Sequence, residues 1–259
     1  MIEGTDWGKE IKSINSALKL KTFPLGIKFL KSKNEIPENI KYRSPKTIST
    51  FCQQITTART YGWTIVVSAQ DVVLACSSIF GLAEATEKMK DGSFRNIVWC
   101  EKKEDAKKFE DSVFRVPLGK YEAIMLSPQE KGLFEPDVVL FYGNPAQIIL
   151  IVNALQFENY ERVQSSCVGE SSCSDSIVQC YLTGKPSIGI PCFGERRYGH
   201  AQDDEMVIAV SGPDVKKVSK NLAELSKRGI RYPISYLGTQ TNALAGMPES
   251  YADAFGYTD

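Results

Sequence analysis

The longest apolar stretch of the chain is interrupted at its centre, and this interruption limits what the chain can fold into. The stretch reads VVLFYGNPAQIILIVNAL over residues 138–155, and Gly143, Asn144 and Pro145 divide it. Glycine and proline end regular structure, so the stretch is too broken for a membrane-spanning helix. It predicts a buried strand, a tight turn and a buried helix that has Pro145 in its first turn.

The same alternation of short β-branched runs and helical patterns extends along most of the chain. The predicted strands are 23–30, 64–68, 96–101, 123–127, 137–143, 186–191 and 205–211, and the predicted helices are 50–62, 69–89, 104–114, 145–157, 174–183 and 215–228. Residues 237–259 are expected to be irregular. This order predicts an α/β or α+β fold with a mixed sheet and interleaved helices, because it does not spell out a doubly wound parallel sheet.

Charge and composition narrow the classes of partner. Lys plus Arg equals Asp plus Glu, at 31 each, so no net field attracts a nucleic acid or an anionic membrane, and neither is expected as a partner. The N-terminal sequence MIEGTDWGKEIKSINSALKL lacks the pattern of a signal peptide, which predicts a cytoplasmic protein. Seven cysteines are an odd number for a disulfide framework, so metal binding, redox chemistry and simple burial remain open.

Two segments share one order of features: a cysteine, a helix, a glycine, a strand and a second cysteine. They are residues 52–76 and residues 173–192. The order predicts a pseudo-twofold repeat within one domain of residues 1–259, with halves of about 20–120 and 121–235 and an irregular C-terminal tail. The repeat brings four cysteines toward one site, and these are Cys52, Cys76, Cys173 and Cys192.

Thiolates suit zinc, copper(I) or an iron–sulfur cluster, so the four cysteines are candidate metal ligands. Cys52 and Cys173 begin predicted helices, a position that is expected to lower a thiol pKa. The chain lacks Cys-x-x-Cys, which argues against a zinc ribbon or a ferredoxin module. Cys167 is an alternative ligand, whereas Cys100 and Cys180 fit plain burial best.

Two places are candidates for binding a small anion. The turn at Gly143 and Asn144 leaves N–H groups at a helix start, and Arg196 with Arg197 can pair with a carboxylate or phosphate. The alternatives are an ordinary strand-to-helix turn and a solvated loop. His200 is the only histidine, and no Ser-His-Asp arrangement, phosphate-binding loop or dinucleotide fingerprint is present.

Two further charged groups have structural interpretations. Arg59 lies two helical turns after Cys52, where it either forms an ion pair within the fold or faces the same pocket as Cys52. The acidic run at residues 203–205 is able to pair with Arg196 and Arg197, which would make both clusters structural.

Several motifs together resemble the archaeal cysteine-rich family known as domain of unknown function 169. They are FCQQITTAR, the cysteine before IFGLAE, PDVVLFYGNPAQ, CSDSIVQCYLTGKPSIGIPCFGERR and DDEM, and the resemblance extends from about residue 23 to residue 233. It implies conserved use of the four cysteines that the repeat selects. The family's distribution in archaea and anaerobic bacteria implies an oxygen-sensitive iron–sulfur cluster, [4Fe–4S] in type, rather than structural zinc.

The leading prediction is an iron–sulfur protein of anaerobic metabolism that transfers electrons to a redox partner protein or acts on a small anionic substrate. Gly143, Asn144, Arg196 and Arg197 are the predicted anion-binding residues. One alternative is a non-enzymatic ligand-binding or regulatory protein with reduced, buried cysteines and a pocket at the Gly143 turn. A thiol-dependent enzyme, a structural zinc protein and a homodimer that shares a cluster also stay open, so an enzyme is not distinguished from a binding protein.

Overall fold

A computed structural model describes residues 6–235, 242, 244 and 246–257. Six strands form one sheet, and every neighbouring pair is antiparallel. The strands are β1 (Leu25–Leu30), β2 (Ile65–Ser68), β3 (Ala123–Pro128), β4 (Val138–Gly143), β5 (Ser187–Gly189) and β6 (Met206–Ser211). Their order across the sheet is β2-β3-β1-β4-β6-β5. The predicted class, α/β or α+β with interleaved helices, is confirmed, but the sheet that was predicted to be mixed is antiparallel at every pairing of its strands.

Six of the seven predicted strands are present, and the strand predicted at 96–101 is wrong. This segment follows a short helix and forms a turn in which the amides of Val98, Trp99 and Cys100 all point to the carbonyl of Arg95. Ile97 and Val98 are 79% and 70% exposed. Because the amides bond back to one local carbonyl, they cannot join a ladder, and β propensity is overridden.

Eleven helices surround the sheet within the described residues. They are α1 (Trp7–Leu18), α2 (Phe51–Tyr61), α3 (Leu74–Ile79), α4 (Glu87–Lys90), α5 (Ser93–Asn96), α6 (Lys103–Ser112), α7 (Pro145–Gln156), α8 (Gln179–Thr183), α9 (Phe193–Gly199), α10 (Asp214–Lys227) and α11 (Glu249–Ala254). A π-helical turn, Ser174–Val178, runs directly into α8, so the helix predicted at 174–183 is present.

Two helix predictions need correction. The single helix predicted at 69–89 is two short helices, α3 and α4, because Gly81 adopts a left-handed conformation (φ 67°) between them. A Cβ at Gly81 would lie 2.6 Å from the carbonyl oxygen of Pro117, so the close approach of the chain also requires glycine here. In the tail that was expected to be irregular, α11 is helical, while residues 237–241 lie outside the described part.

Each face of the sheet buries its own core, as the alternation of side chains along a strand requires. On the first face, Leu140 and Tyr142 of β4 pack with α2, α3 and the helix of residues 174–183. On the second face, Val139 and Phe141 pack with α1, α7 and α10. The sheet therefore lies between two helical layers, and β4 contributes to both cores.

The strand order bears on the predicted repeat. In such a repeat, β1, β2 and β3 correspond to β4, β5 and β6. From one edge the sheet begins with β2, β3 and β1, and from the other edge it begins with the corresponding strands β5, β6 and β4. The central pair, β1 and β4, is antiparallel, as a twofold axis normal to the sheet would require. The order is compatible with a repeat but does not by itself establish one, so the repeat and its boundaries stay predictions.

The interrupted apolar stretch folds as its sequence predicts. Residues 138–155 form β4, a turn at Asn144 and most of α7, with Pro145 at the first helical position. Among the described residues, no helix has both the length and the apolar character needed to cross a membrane.

Candidate functional site

The four predicted cysteine ligands line one cavity of about 140 Å³ on the first face of the sheet. Each comes from a different place in the fold. Cys52 is the second residue of α2, and Cys76 lies within α3. Cys173 immediately precedes the π-helical turn, and Cys192 immediately precedes α9. We call this space the cysteine cavity.

The start of α2 is fixed by a capping box. The Thr50 hydroxyl accepts a hydrogen bond from the Gln53 amide (3.3 Å), and the Gln53 side chain accepts one from the Thr50 amide (2.8 Å). The helix ends at Gly62 in the left-handed conformation, as predicted. These two signals are local, so the sequence specifies the position of Cys52 along its helix.

Close packing of α9 against α2 brings the second half of the cysteine set to the first. A Cβ at Gly199 would lie 2.9 Å from the Cβ of Cys52, and the hydroxyl of Thr56 donates a hydrogen bond to the Gly199 carbonyl. The thiol of Cys52 also contacts the carbonyl oxygen of Gly194 in α9 (3.8 Å). Glycine at 199 therefore permits the approach that places Cys52 and Cys192 around one cavity.

Three of the four sulfurs are engaged by neighbouring protein groups. The Sγ of Cys52 lies 3.0 Å from the Thr50 hydroxyl, the Sγ of Cys76 accepts a hydrogen bond from the Phe51 amide (3.4 Å), and the Sγ of Cys192 accepts one from the Glu195 amide (3.4 Å). Among the residues that the structure describes, no three His, Cys, Asp or Glu side chains form a group able to hold a metal ion. The thiols thus share a cavity without forming a ready coordination shell.

The predicted lowering of the thiol pKa at the helix starts is wrong. Burial raises the pKa of Cys52 to about 12 and that of Cys76 to about 11, and it raises the pKa of Cys173 well above its ordinary value. Cys52 and Cys173 do lie at helix starts, but removal from water disfavours the thiolate more than the helix start favours it. The charge of Glu195 raises the pKa of Cys52 further, and ionisation of one cysteine of the set raises the pKa values of Cys52 and Cys173 as well.

A buried carboxylate lies beside the cysteines. Glu195 is 6% exposed, and both of its oxygens accept hydrogen bonds, one from the Tyr142 hydroxyl and one from the Ser172 hydroxyl. Burial, together with the charge on Glu195, raises the pKa of Tyr142 well above its ordinary value, so Tyr142 keeps its proton and donates it to the bond. The three side chains form a fixed polar wall of the cavity.

Of the two interpretations of Arg59, the structure supports an ion pair within the fold. Its guanidinium makes two hydrogen bonds to Glu205, of 2.7 and 2.9 Å, and stacks on the ring of Tyr142 at 4.1 Å. Burial alone raises the pKa of Glu205, but the Arg59 hydrogen bonds outweigh burial and the pKa lies below its ordinary value. The acidic run does not pair with Arg196 and Arg197: Glu205 binds Arg59, and Asp204 binds Lys21.

The turn at Gly143 and Asn144 does not line the cysteine cavity. The Asn144 side chain accepts a hydrogen bond from the Gln147 amide (3.0 Å), and the Gln147 side chain accepts one from the Asn144 amide (2.8 Å). Pro145, the next residue, has no amide hydrogen. Local partners therefore use the Asn144 and Gln147 amides, two of the donors expected to receive an anion, and the geometry is that of a well-capped strand-to-helix turn.

The arginine pair is also outside the cavity lining. Arg196 donates a hydrogen bond to the carbonyl of Gln202 (2.6 Å), and Arg197 is exposed, 5.9 Å from the ring of Phe193. His200 is exposed and ends α9 in a left-handed conformation. The structure therefore brings the four predicted cysteines together but does not bring the predicted anion-binding residues into the same cavity.

The three other cysteines differ in burial and do not line the cavity. Cys180 is fully buried in the core, as predicted, and burial raises its pKa to about 12. Cys167 is exposed, so it does not replace any of the four. Cys100 is partly exposed in the turn after α5 rather than buried in a strand.

Sequence reasoning missed residues 170–172, the part of the cavity wall that directly precedes the predicted Cys173. Glu170, Ser171, Ser172 and Cys173 all line the cavity, and Ser171 has a left-handed backbone (φ 69°) that is uncommon for a residue with a side chain. The π-helical turn that follows is a feature found frequently at functional sites. The available signal was the sequence ESSC, in which an acidic residue and two serines precede a cysteine. Arg95, which also lines the cavity, had no pattern to reveal it.

Comparisons with known proteins agree with the resemblance found in the sequence. Residues 13–221 match the family described as uncharacterised ArCR, domain of unknown function 169. The chain is 26% identical over 205 residues to uncharacterized protein MJ0308 of Methanocaldococcus jannaschii, and the match covers 75% of this chain and 84% of that protein. No solved structure matches the chain. With its cysteine motifs at the centre of the matched region, the chain belongs to the uncharacterised ArCR family.

Proposed function

We propose that the chain binds a thiolate-ligated metal group, in first place an iron–sulfur cluster, through Cys52, Cys76, Cys173 and Cys192. The observation that carries the proposal is that these four thiols, from four separate elements, line one cavity of about 140 Å³. Four cysteines are a complete ligand set for a [4Fe–4S] cluster and equally for a closed zinc site. Zinc is therefore the alternative metal.

A metal that binds these cysteines must displace protons from their thiols. In the absence of a cation the thiols of Cys52, Cys76 and Cys173 are neutral, because burial raises their pKa. Metal ligation requires thiolates, so binding releases protons and becomes tighter as pH rises. The same burial that disfavours isolated thiolates also excludes water from a bound metal and strengthens its attraction to them.

An iron–sulfur cluster bound here supplies one-electron transfer or, with an open iron, a site for a small anion. The chain's own contribution is the polar wall of Tyr142, Glu195 and Ser172, which is hydrogen-bonded internally and fixed in place. Such outer groups orient ligands and tune a metal site. A redox partner protein, a homodimer and a reducing cytoplasmic location belong to the same proposal.

A second candidate function has its own support. Three of the four sulfurs are hydrogen-bonded to protein groups, and no group of three metal-binding side chains is formed among the described residues. These contacts favour a ligand-binding or regulatory protein whose cysteines stay reduced and neutral. Its pocket is better supported at the cysteine cavity than at the Gly143 turn, where the donors have local partners. The raised thiol pKa values count against a thiol nucleophile, the third candidate.

The test is metal analysis of the full chain purified without oxygen. Iron, zinc and acid-labile sulfide are measured per chain, with the visible spectrum, in the natural protein and in Cys52→Ser and Cys192→Ser. Cys180→Ser and Cys167→Ser are matched controls, since one is buried and one exposed but neither lines the cavity. We expect iron with equimolar sulfide that is lost only in the two cavity variants.

Each of the other outcomes leads to a different conclusion. Zinc without sulfide, again lost only in the cavity variants, makes the four cysteines a structural site. Protein that contains neither metal sinks the metal proposal and leaves the reduced ligand-binding candidate. Equal loss of metal in Cys180→Ser and Cys52→Ser would mean that unfolding, and not ligation, removes the metal.

A further inference from the structure

Besides Glu195, the cysteine cavity contains two charged side chains that belong to neither the cysteine set nor the predicted anion-binding residues. Arg95 of α5 and Glu170, three residues before Cys173, both line the cavity. Each has hydrogen-bonding capacity that the described residues do not use. The unused donor of Arg95 and the unused acceptor of Glu170 indicate which kind of small molecule is able to bind beside the thiols.

Arg95 is held rigidly although it is charged and only 3% exposed. Its Nε donates to Glu110 (3.0 Å), its Nη2 donates to the Ser171 hydroxyl (3.1 Å), and the guanidinium lies 4.7 Å from the centre of the Phe109 ring. Its Nη1 makes no hydrogen bond to a described residue. A guanidinium fixed on one side with a donor left over is preorganised to bind an anion.

Arg95 shares its ion-pair partner with a second arginine. Glu110 also accepts hydrogen bonds from Arg115, so one carboxylate serves two guanidiniums. Arg95 forms its ion pair with Glu110 and none with Glu170. Glu170 and Glu195 also line the cavity, so its wall carries no surplus of positive charge. What Arg95 offers an anion is a fixed guanidinium whose Nη1 has no partner among the described residues.

Glu170 has an unused hydrogen-bond acceptor, whereas Arg95 has an unused donor. Its Oε2 is buried and has no hydrogen-bond partner among the described residues. Burial raises the pKa of Glu170, an effect that the charge of Arg95 only partly offsets. A buried, unpartnered carboxyl oxygen is unfavourable unless a donor reaches it, so it needs an explanation in a bound group.

The backbone holds these groups in place at some strain. Ser171, between Glu170 and Ser172, adopts the left-handed conformation, and its carbonyl accepts a hydrogen bond from the Ser174 amide (2.7 Å). The Ser171 hydroxyl is also the group that fixes Arg95. A strained residue that contacts one candidate and adjoins the other is a feature that clusters at ligand sites.

We propose that Arg95 and Glu170 bind a small 2-hydroxy- or 2-amino-carboxylate in the cysteine cavity. The ligand's carboxylate pairs with the Arg95 guanidinium, and its hydroxyl or amino group donates a hydrogen bond to Glu170 Oε2. The volume of about 140 Å³ restricts the ligand to a few heavy atoms. This site uses the same cavity as the proposed metal but does not depend on a metal.

The test is calorimetric titration of the full chain with glycolate, glycine, acetate and the neutral glycolamide. Each titration is made on protein purified without oxygen and again after treatment with a chelator. We expect glycolate or glycine to bind, acetate to bind about 3- to 10-fold more weakly because it lacks the donor, and glycolamide not to bind. Which of glycolate and glycine binds more tightly distinguishes the hydroxyl from the amino ligand.

Variants assign the binding to residues. In Arg95→Lys, which keeps the charge but loses the fork geometry, affinity for glycolate or glycine falls about 10- to 100-fold. In Glu170→Ala, a partly exposed position that is expected to fold normally, the ligand binds no better than acetate. The double variant Arg196→Ala and Arg197→Ala is the control and keeps the natural affinity. If Arg95→Lys fails to fold, the lost preference in Glu170→Ala still tests the proposal.

Several results overturn this assignment. They are no binding of glycolate or glycine at any concentration, equal binding of glycolamide, unchanged selectivity in Glu170→Ala, or loss of binding only in the Arg196 and Arg197 double variant. Binding to metal-free protein with iron absent throughout sinks the metal proposal but supports this one. Iron with sulfide but no binding of these probes does the reverse.

Discussion

The two faces of the sheet bury different kinds of side chain, although the same strands form both faces. On the face covered by α1, α7 and α10, apolar side chains form the core, and the polar side chains that these helices bury are the neutral Gln147, Ser219 and Asn221. On the face of the cysteine cavity, apolar packing is interrupted by buried charged and hydroxyl groups. These form the pairs and networks of Arg59 with Glu205, Arg95 with Glu110 and Arg115, and Glu195 with Tyr142 and Ser172.

The two faces therefore have different roles: the apolar face mainly stabilises the fold, and the cavity face mainly holds chemical groups in position. Apolar burial stabilises a fold without fixing any one chemical group, whereas a buried hydrogen-bonded charge contributes little net stability but holds its partner in one orientation. β4 joins the two, since Phe141 faces one core and Tyr142 the other. The apolar face is therefore expected to anchor the sheet on which the cavity face holds its thiols and charges.

The largest effect tests the apolar face. Phe141→Ala removes a fully buried ring and is expected to lower the free energy of unfolding by about 3–5 kcal/mol, measured by denaturant titration. Phe193→Ala, at a position that is 57% exposed on α9, is the control and changes it by about 0.5 kcal/mol or less. A loss in Phe141→Ala no larger than in the control contradicts the division between the faces.

A slightly smaller loss is expected from the buried ion pair on the cavity face. Arg59→Met leaves Glu205 charged and buried, which costs about 3 kcal/mol, the low end for a broken buried pair. The low end applies because Glu205 keeps a hydrogen bond from the Gln202 amide (2.9 Å). The double variant Arg59→Met with Glu205→Leu recovers most of the loss. If the losses of the two single variants simply add in the double variant, Arg59 and Glu205 are not coupled and the comparison fails.

The close packing of α9 on α2 provides a third test. Gly199→Ala places a methyl group 2.9 Å from the Cβ of Cys52, and the resulting overpacking is expected to cost about 1–3 kcal/mol. Because the methyl group pushes Cys192 away from Cys52, bound metal per folded chain falls as well. Arg197→Ala on the same helix is the control and changes neither quantity. Undiminished metal in Gly199→Ala means that this approach is not needed for the site.

A smaller effect follows pH. The pKa of Glu205 lies below its ordinary value of 4.5 because of Arg59, so the stability that the pair contributes is complete well above pH 4.5 and is lost as pH falls through the folded-state pKa. The natural protein therefore loses more stability on acidification than Glu205→Gln, in which this group does not titrate. Parallel stability profiles for the two proteins below pH 5 would refute the assignment.

The last test measures how fast the cysteine thiols react with an alkylating reagent and needs no substitution. On metal-free protein at neutral pH, iodoacetamide is expected to modify exposed Cys167 first and buried Cys180 last, with Cys52 and Cys76 slow because burial raises their pKa values to about 12 and about 11. Mass spectrometry of the digested protein gives the order. Modification of Cys52 ahead of Cys167 would instead support the thiol-enzyme alternative.

Much of the fold was predictable because its signals are local. Alternating β-branched runs, the capping box at Thr50, Gly62 and the Asn144–Pro145 helix start are each written in a few adjacent residues. The predictions failed where a distant contact decided the outcome. The carbonyl of Pro117 lies against Gly81 and divides the helix predicted at 69–89, and nothing near residues 96–101 shows that this segment has no strand to pair with.

The candidate site divides in the same way. The repeated order of features singled out Cys52, Cys76, Cys173 and Cys192, and all four line one cavity. The arginine that lines that cavity is Arg95 rather than Arg196 or Arg197. Adjacent arginines form a visible pattern in a sequence, whereas Arg95 owes its place to Glu110, Ser171 and Phe109, which the fold alone brings around it.

The sequence by itself therefore determined six of the seven predicted strands, the ends of several helices and the identity of the cysteine set, because these depend on residues that are neighbours along the chain. Only the tertiary structure decided the protonation of the thiols and the charges that face them. Burial raises the pKa of Cys52 despite its place at a helix start, and Glu170 and Arg95 line the same cavity although they are distant in sequence. Burial and charge act through space, and the distances that set their strength are fixed only when distant segments pack together.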